Sequence, residues 1–189
     1  MLTSPVQKIN QSTVYKKYRS VIQKVFKMQV TGQEIEYEIF GGGDSVLVLP
    51  ITEEGNIILN EQYRFGPEKF IRELPGGIIE SGLSPIQAAS KELLEETGFK
   101  GNLLFVGKYS EGVVHESNVH LFLAENCRKI ARPCLEPEEI MRNIQVTPQQ
   151  LLELAETDPE FIHGAHIFRC FSYLKNLTSP FELKIAEFA

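Results

Sequence analysis

Residues 25–40, VFKMQVTGQEIEYEIF, alternate between apolar and polar positions and are rich in β-branched and aromatic side chains, which predicts two strands turning at Thr31-Gly32. GGGD at 41–44 breaks the pattern. SVLVLPIT (45–52) is an almost unbroken apolar run; with the turn EEGN and the strand IILNEQYRF (57–65) it reads as a hairpin. KFIREL (69–74) adds a short strand before Pro75, and a glycine-rich loop follows. The period then changes. Ile86, Ala89, Leu93 and Leu94 recur at helical spacing over 85–97, with Ser84 as N-cap, Pro85 in the first helical position and Gly98 at the stop. NLLFVGKYS (102–110) and NVHLFLAENC (118–127) read as strands joined by the polar loop EGVVHES, and IMRNIQV (140–146) as one more. TPQQLLELAET (147–157) carries the capping signal Thr147-Pro148, and PEFIHGAHIFRCFSYLKNL (159–177) is a second apolar-periodic helix.

The order strands, helix, strands, helices lacks regular βαβ alternation and predicts an α/β fold with a mixed sheet flanked by helices. There is no internal repeat, low-complexity tract or linker, so a single domain over 1–189 is expected, with about 1–22 free to form an arm. At 189 residues, 42% hydrophobic and 23% charged, the chain can bury a core without disulfides. Its net charge of −6 argues against general nucleic-acid affinity, which requires basic surface. Cys127, Cys134 and Cys170 are widely spaced with no CxxC, which indicates neither a disulfide framework nor a zinc site. The N-terminal stretch lacks the apolar core of a signal peptide, and no run reaches the roughly 18 apolar residues of a membrane span. A cytoplasmic protein without membrane contact is the expectation.

One helix carries a chemical oddity. Glu92, Glu95 and Glu96 fall within an arc of roughly 100° on a helix that turns about 100° per residue. Like charges at these spacings each cost a few tenths of a kcal/mol, roughly, unless a cation faces them. Lys91 lies about 100° off the arc, and Lys100 follows the helix stop, so the sequence offers few candidates. A solvated acidic face is one reading. The other is an all-oxygen site for Mg²⁺ or Mn²⁺, since a two-glycine loop enters the helix and lets backbone approach a phosphate. Such an ion would also neutralise a diphosphate that an acidic protein repels.

The stretch GGIIESGLSPIQAASKELLEETGF (76–99) resembles the signature of the Nudix hydrolases: Gly77, Glu92, Leu93, Glu95, Glu96 and Gly98 match at the family spacing, with Phe99 apolar where an aliphatic is usual. Leu83 stands where the pattern has its first Glu, and Lys91 where it has Arg. In the family those two form an ion pair that helps orient the metal-binding glutamates, so the resemblance implies that this pair is lost here. EQYRFGPEKFIRELPGG (61–77) and HLFLAENC (120–127) further resemble the ADP-ribose and sugar-nucleotide pyrophosphatase branch.

The resemblance implies a Nudix-type α/β/α sandwich around a mixed β-sheet, with N-terminal strands at about 23–42 in contact across a homodimer. It implies metal-assisted hydrolysis of a nucleoside diphosphate sugar, ADP-ribose first, to AMP and ribose 5-phosphate. Alternatives are a UDP-sugar or other nucleotide-sugar pyrophosphatase, and a non-catalytic nucleotide-binding module. Carried over position by position, Glu92 and Glu96 are metal ligands, Glu95 is a further ligand or a base, and the backbone carbonyl of Gly76 is an additional ligand. Arg64 would contact the diphosphate, and Glu73 would either position substrate or form a structural salt bridge. The general base of this branch lies in a loop before the LFLA-like strand, which points to Glu116, with Glu111 as its rival. Tyr37, Phe40 or Phe65 could stack on a base. Nothing places His163 and His166 near the metal.

Overall fold

The computed structural model describes residues 4–17 and 20–176. These residues form two compact units, one up to Asp44 together with Tyr109–Val119, the other Ser45–Lys108 together with the residues from His120 on.

In the first unit β1 (Val6–Lys16), β2 (Ser20–Met28) and β3 (Glu34–Gly41) form an antiparallel sheet in that order. The turn between β2 and β3 passes through Gly32, whose N–H reaches the Met28 carbonyl, where the Thr31-Gly32 signal places it. The stretch 1–22, read as an arm, contributes the regular strand β1. β1 is exposed along nearly its whole length, so it carries little apolar periodicity from which to read it, and residues 20–22 already open β2.

β4 (Ser45–Thr52), β5 (Ile57–Arg64), β8 (Phe99–Ser110), β9 (Asn118–Lys129) and β10 (Met141–Val146) run in the order β10-β5-β4-β9-β8 and belong to the second unit, apart from the last two residues of β8 and the first two of β9. β6 (Lys69–Glu73) pairs with β5, and β7 (Gly76–Ile78) pairs with β4. Every residue of β4 after Ser45 is buried, which is why that strand is an apolar run rather than an alternation. The glycine-rich loop of the sequence reading contains β7, a strand made by backbone pairing of Gly76 and Gly77 and therefore without a side-chain signature.

Helix α1 (Pro85–Thr97) matches its predicted bounds because its ends are chemically fixed. Ser84 donates its N–H to Gln87 Oε1 at 2.9 Å, and Gly98 adopts the left-handed conformation while its N–H reaches Leu94 O at 2.8 Å. Val46, Val48, Ile58, Ala88, Ala89, Leu93, Phe99 and Phe122 pack one core beneath the helix. Ile86, placed on the apolar side by periodicity, is about half exposed, and Ala88 is buried instead. α2 (Pro148–Thr157) starts at its Thr147 cap, whose Oγ1 accepts the Gln150 N–H at 3.2 Å.

The last helix is shorter than predicted: α3 spans Gly164–Asn176, and Leu177 lies outside the described residues. Residues 160–162 instead lie along the outer edge of β6, with Arg72 N–H to Glu160 O at 2.8 Å and Ile162 N–H to Arg72 O at 3.3 Å. That pairing leads His163 to Leu74, whose N–H donates to His163 Nδ1 at 3.0 Å. Cys127, Cys134 and Cys170 are all free thiols. Among the described residues no helix is long and apolar enough to cross a membrane.

Burial pushes the His163 imidazole from its ordinary 6.5 down to about 3, with the charges of His166 and Arg64 acting in the same direction. The unfolded chain therefore takes up a proton between these values and the fold does not. The neutral imidazole's contribution is complete above about pH 6.5 and falls on acidification, by about 1.4 kcal/mol at pH 5.5. Urea denaturation of wild type and His163→Asn at about pH 7.5 and 5.5 checks this: wild type should lose about 1.4 kcal/mol more between the two than the non-titrating variant. Equal losses would contradict it.

Candidate active site

α1 lies across β4, β7 and the neighbouring part of β5, and its C-terminal half carries the acids. Their environments differ. Glu96 is 4% exposed: it sits seven residues after Ala89 and three after Leu93, on the side that packs against the sheet. The reading of the three acids as one solvated face therefore fails for Glu96. Its Oε2 accepts the Gly76 N–H at 2.8 Å and Asn60 Nδ2 at 2.9 Å. Asn143 on β10 donates to both Asn60 Oδ1 (2.9 Å) and the Glu96 carbonyl (3.1 Å), fixing that asparagine. Burial pushes the Glu96 carboxyl up to about 8; the Gly76 N–H and Asn60 oppose the shift, while Glu92 and Glu139 add to it.

Glu92 is half-buried beside Gly77 of β7. A Cβ on Gly77 would come within 2.6 Å of Glu92 Oε1, so glycine lets the backbone approach this carboxylate. Burial pushes Glu92 up to about 7; Lys91 pulls against the shift, and Glu95, Glu139 and Glu80 reinforce it. Glu95 turns the other way: Lys91 Nζ lies 2.8 Å from Glu95 Oε2 and 2.8 Å from Glu80 Oε1, which raises the ammonium above its ordinary value. Lys91 thus does face one acid: the two are four positions apart, so their Cβ directions differ by only about 40°, and the offset of about 100° holds for Glu92 rather than for Glu95. The expected loss of the Leu83–Lys91 charge pair is also only half of what happens. Leu83 packs against the core, and Lys91 takes Glu80 as its partner.

The β5 register places Asn60, Gln62 and Arg64 on one face, four residues or about 13 Å from end to end. Arg64 therefore projects from the same face as the residue that holds Glu96. It does not stand alone: Glu73, 1% exposed, receives Arg64 Nη2 at 2.6 Å and Nε at 3.3 Å in a two-pronged pair. Burial raises the Glu73 carboxyl, and Arg64 draws it back. Of the two readings for Glu73, the salt bridge is the one present. Tyr63, Phe65 and Phe70 form an edge-to-face aromatic row, with Tyr63 opposite Phe70 in the β5–β6 ladder, on the face away from Arg64. Phe65 is thus directed away from the acids rather than toward a base beside them.

Glu116 and Glu111 belong to the first unit. There Glu116 is ion-paired with Lys24, while Ser117 Oγ donates to Glu111 Oε2 at 2.5 Å. Tyr37 meets Phe26 edge-on, and Phe40 stacks at a tilt on His115. The sequence reading missed Asn60, Asn143 and Glu139. Asn60 had a signal, a polar residue at an inward position of the apolar run IILN; Glu139, in the loop before β10, had none.

Among the described residues no three Asp, Glu, His or Cys side chains converge as a metal cage, since Glu95 is drawn to Lys91 and Glu96 to Asn60 and Gly76. The chemistry of the donor set nevertheless fits a hard cation. Two carboxyls are held desolvated, Glu92 further raising the proton affinity of Glu96, and Gln62 Oε1 on the strand face of Asn60 is buried without a hydrogen-bond partner.

A family model described as the NUDIX domain matches residues 42–164. The ADP-ribose pyrophosphatase of Bacillus subtilis (strain 168) is 33% identical over 129 residues, covering 67% of this chain and 70% of that protein. The methanol dehydrogenase activator of Bacillus methanolicus is 34% identical over 140 residues, 69% of this chain and 75% of its own. The ADP compounds hydrolase NudE of Escherichia coli (strain K12) is 28% identical over 130 residues, 68% of each chain. A crystal structure of an ADP compounds hydrolase superposes with a TM-score of 0.80 at 24% identity, covering 93% of this chain and 97% of that one, a likeness of fold. With the acid-bearing helix and its glycine turn inside the matched segment, the chain belongs to the Nudix hydrolase family.

Proposed function

We propose that this enzyme hydrolyses the pyrophosphate bond of a nucleoside diphosphate sugar in the cytoplasm, ADP-ribose before others, releasing AMP and ribose 5-phosphate. One observation carries the reading: Glu92 and Glu96 are desolvated against a glycine turn, and Arg64 projects from the strand face that holds Glu96. The names of the Bacillus subtilis and Escherichia coli relatives support the choice of ADP-ribose.

Glu92, Glu95, Glu96 and the Gly76 carbonyl would hold Mg²⁺ or Mn²⁺, which when bound neutralises the diphosphate and acidifies the attacking water. Arg64 binds diphosphate oxygens, and Glu73 acts through it by fixing the guanidinium plane. A proton acceptor must lie near the acids. Glu139 is suited to this, because its charge is felt at both Glu92 and Glu96, and Glu95 is the other acid on the helix surface. Glu116, the base that the family resemblance implies, is the rival of Glu139 for this role. A homodimer through β1–β3 belongs to the same proposal; Ile9, Val14, Tyr15 and Tyr37 are exposed there.

Incubation with ADP-ribose and Mn²⁺ should release AMP and ribose 5-phosphate, and Glu96→Gln should lower kcat about a hundredfold or more. Product without added metal, or full activity in the variant, would contradict the assignment. UDP-glucose cleaved faster than ADP-ribose would move the substrate, and tight binding without product would favour a sensor. For the base, Glu139→Gln should lose about 10²–10⁴-fold in kcat while Glu116→Gln stays within a few fold. The reverse ranking returns the role to Glu116.

A further inference from the structure

The turn Leu74-Pro75-Gly76 delivers backbone to Glu96 and leads into Gly77, which abuts Glu92, and its polar groups are tied to three different elements. The Gly76 N–H goes to Glu96 on α1 at 2.8 Å. The Pro75 carbonyl accepts the Val48 N–H of β4 at 2.9 Å. The Leu74 N–H goes to His163 Nδ1, at the start of α3, at 3.0 Å. Pro75 has no N–H to offer. The first two ties lie on the site side, and His163 supplies the third from the segment that covers the outer edge of β6. Next to this turn, Glu73 carries Arg64. The His163 ring is itself oriented by His166, edge-on at 5.6 Å.

We propose that His163 is a positioning residue of the hydrolytic site: its imidazole acceptor holds the Leu74 amide and thereby sets the turn against which Glu92 and Glu96 are aligned. The inference rests on the reading of those acids as metal ligands. Leu74 is 2% exposed, so loss of the acceptor leaves a buried N–H without a partner. The turn relaxes by rotating that amide toward another acceptor or toward water. A rotation two residues before Gly76 displaces the N–H that Glu96 receives and the glycine that Glu92 abuts. Loss of a supporting contact of this kind in a metal site typically weakens metal binding about 10–100-fold.

The test separates the acceptor from the ring. His163→Phe keeps the ring and removes the acceptor, while His163→Asn places an amide oxygen near the Nδ1 position and removes the ring; His163→Leu replaces the Phe variant should that one not fold. Mn²⁺ binding is measured on each protein without substrate, together with exchange of the Leu74 amide and, separately, kcat and KM for ADP-ribose. The Phe variant should bind Mn²⁺ about tenfold more weakly, exchange the Leu74 amide faster and lose kcat with little change in KM. The Asn variant should stay within about threefold of wild type in all of these. Wild-type Mn²⁺ affinity and kcat in the Phe variant, with only the melting temperature lowered, would overturn the role of His163. Equal losses in Phe and Asn would overturn it as well. Wild-type protein that binds no Mn²⁺ would instead sink the reading of the acids, and with it this inference.

Discussion

A carboxylate taken out of water against a strand is the constraint from which the rest of this site follows. Glu96 is enclosed by Leu93, the sheet and the turn before β7, and it receives one backbone N–H and one amide N–H. Hydrogen bonds to a charged group contribute about 1.5–3 kcal/mol each, against several kcal/mol for desolvating the ion. Burial outweighs these bonds, and the carboxyl is pushed up to about 8. Glu92 adds its own charge nearby and is raised for the same first reason. An arrangement of this kind is tolerated where a bound ligand returns the energy, a common exchange of stability for activity.

The three acids divide their labour by exposure. Glu95, with 41% of its side chain accessible, is held by Lys91, and Lys91 is shared with the still more exposed Glu80. Pairs this open to solvent contribute about 0–1 kcal/mol and are screened by salt. Lys91 therefore offers Glu95 a weak internal counter-ion that a divalent cation can displace. Among the described residues the buried Glu96 has no such partner; it accepts from the uncharged donors Gly76 N–H and Asn60. Leu83 packs against the core, and Lys91 pairs with the surface carboxylates of Glu80 and Glu95 where the family signature has an arginine. This substitution keeps the neutralising charge and gives up the planar fork of an arginine.

What the sequence disclosed is whatever is written in short-range chemistry. Caps at Ser84 and Thr147, the stop at Gly98, the apolar run of β4 and the spacing of the acids are local, and the structure has them where they were read. β7 could not be read, because two glycines pairing by backbone leave no pattern. α3 was begun too early because Phe161 and Ile162 continue a helical period while their backbone pairs with β6. Glu139, Asn143 and His163 reach the acids or their turn only through contacts more than 40 positions away in the chain, which no window of periodicity spans. Glu96 is a different case. Its phase with Ala89 and Leu93 was present in the sequence, and counting acids as one solvent-facing group hid it.

Residues 73–77 show why these features act together. Glu73 holds Arg64, Leu74 is held by His163, Pro75 is bound to β4, Gly76 is bound to Glu96, and Gly77 makes room for Glu92. Five consecutive residues thus join the arginine proposed for the diphosphate to the carboxylates proposed for the metal. Neighbouring peptide planes share atoms, so a rotation at one of them displaces the next within a fraction of an ångström to a few ångströms, roughly the reach over which catalytic groups tolerate no misplacement. Glycine at 77 is then more than a permissive residue. A side chain there would push against Glu92 and, through the same turn, disturb the contact to Glu96, which ties the acidity of the site to the path of its backbone.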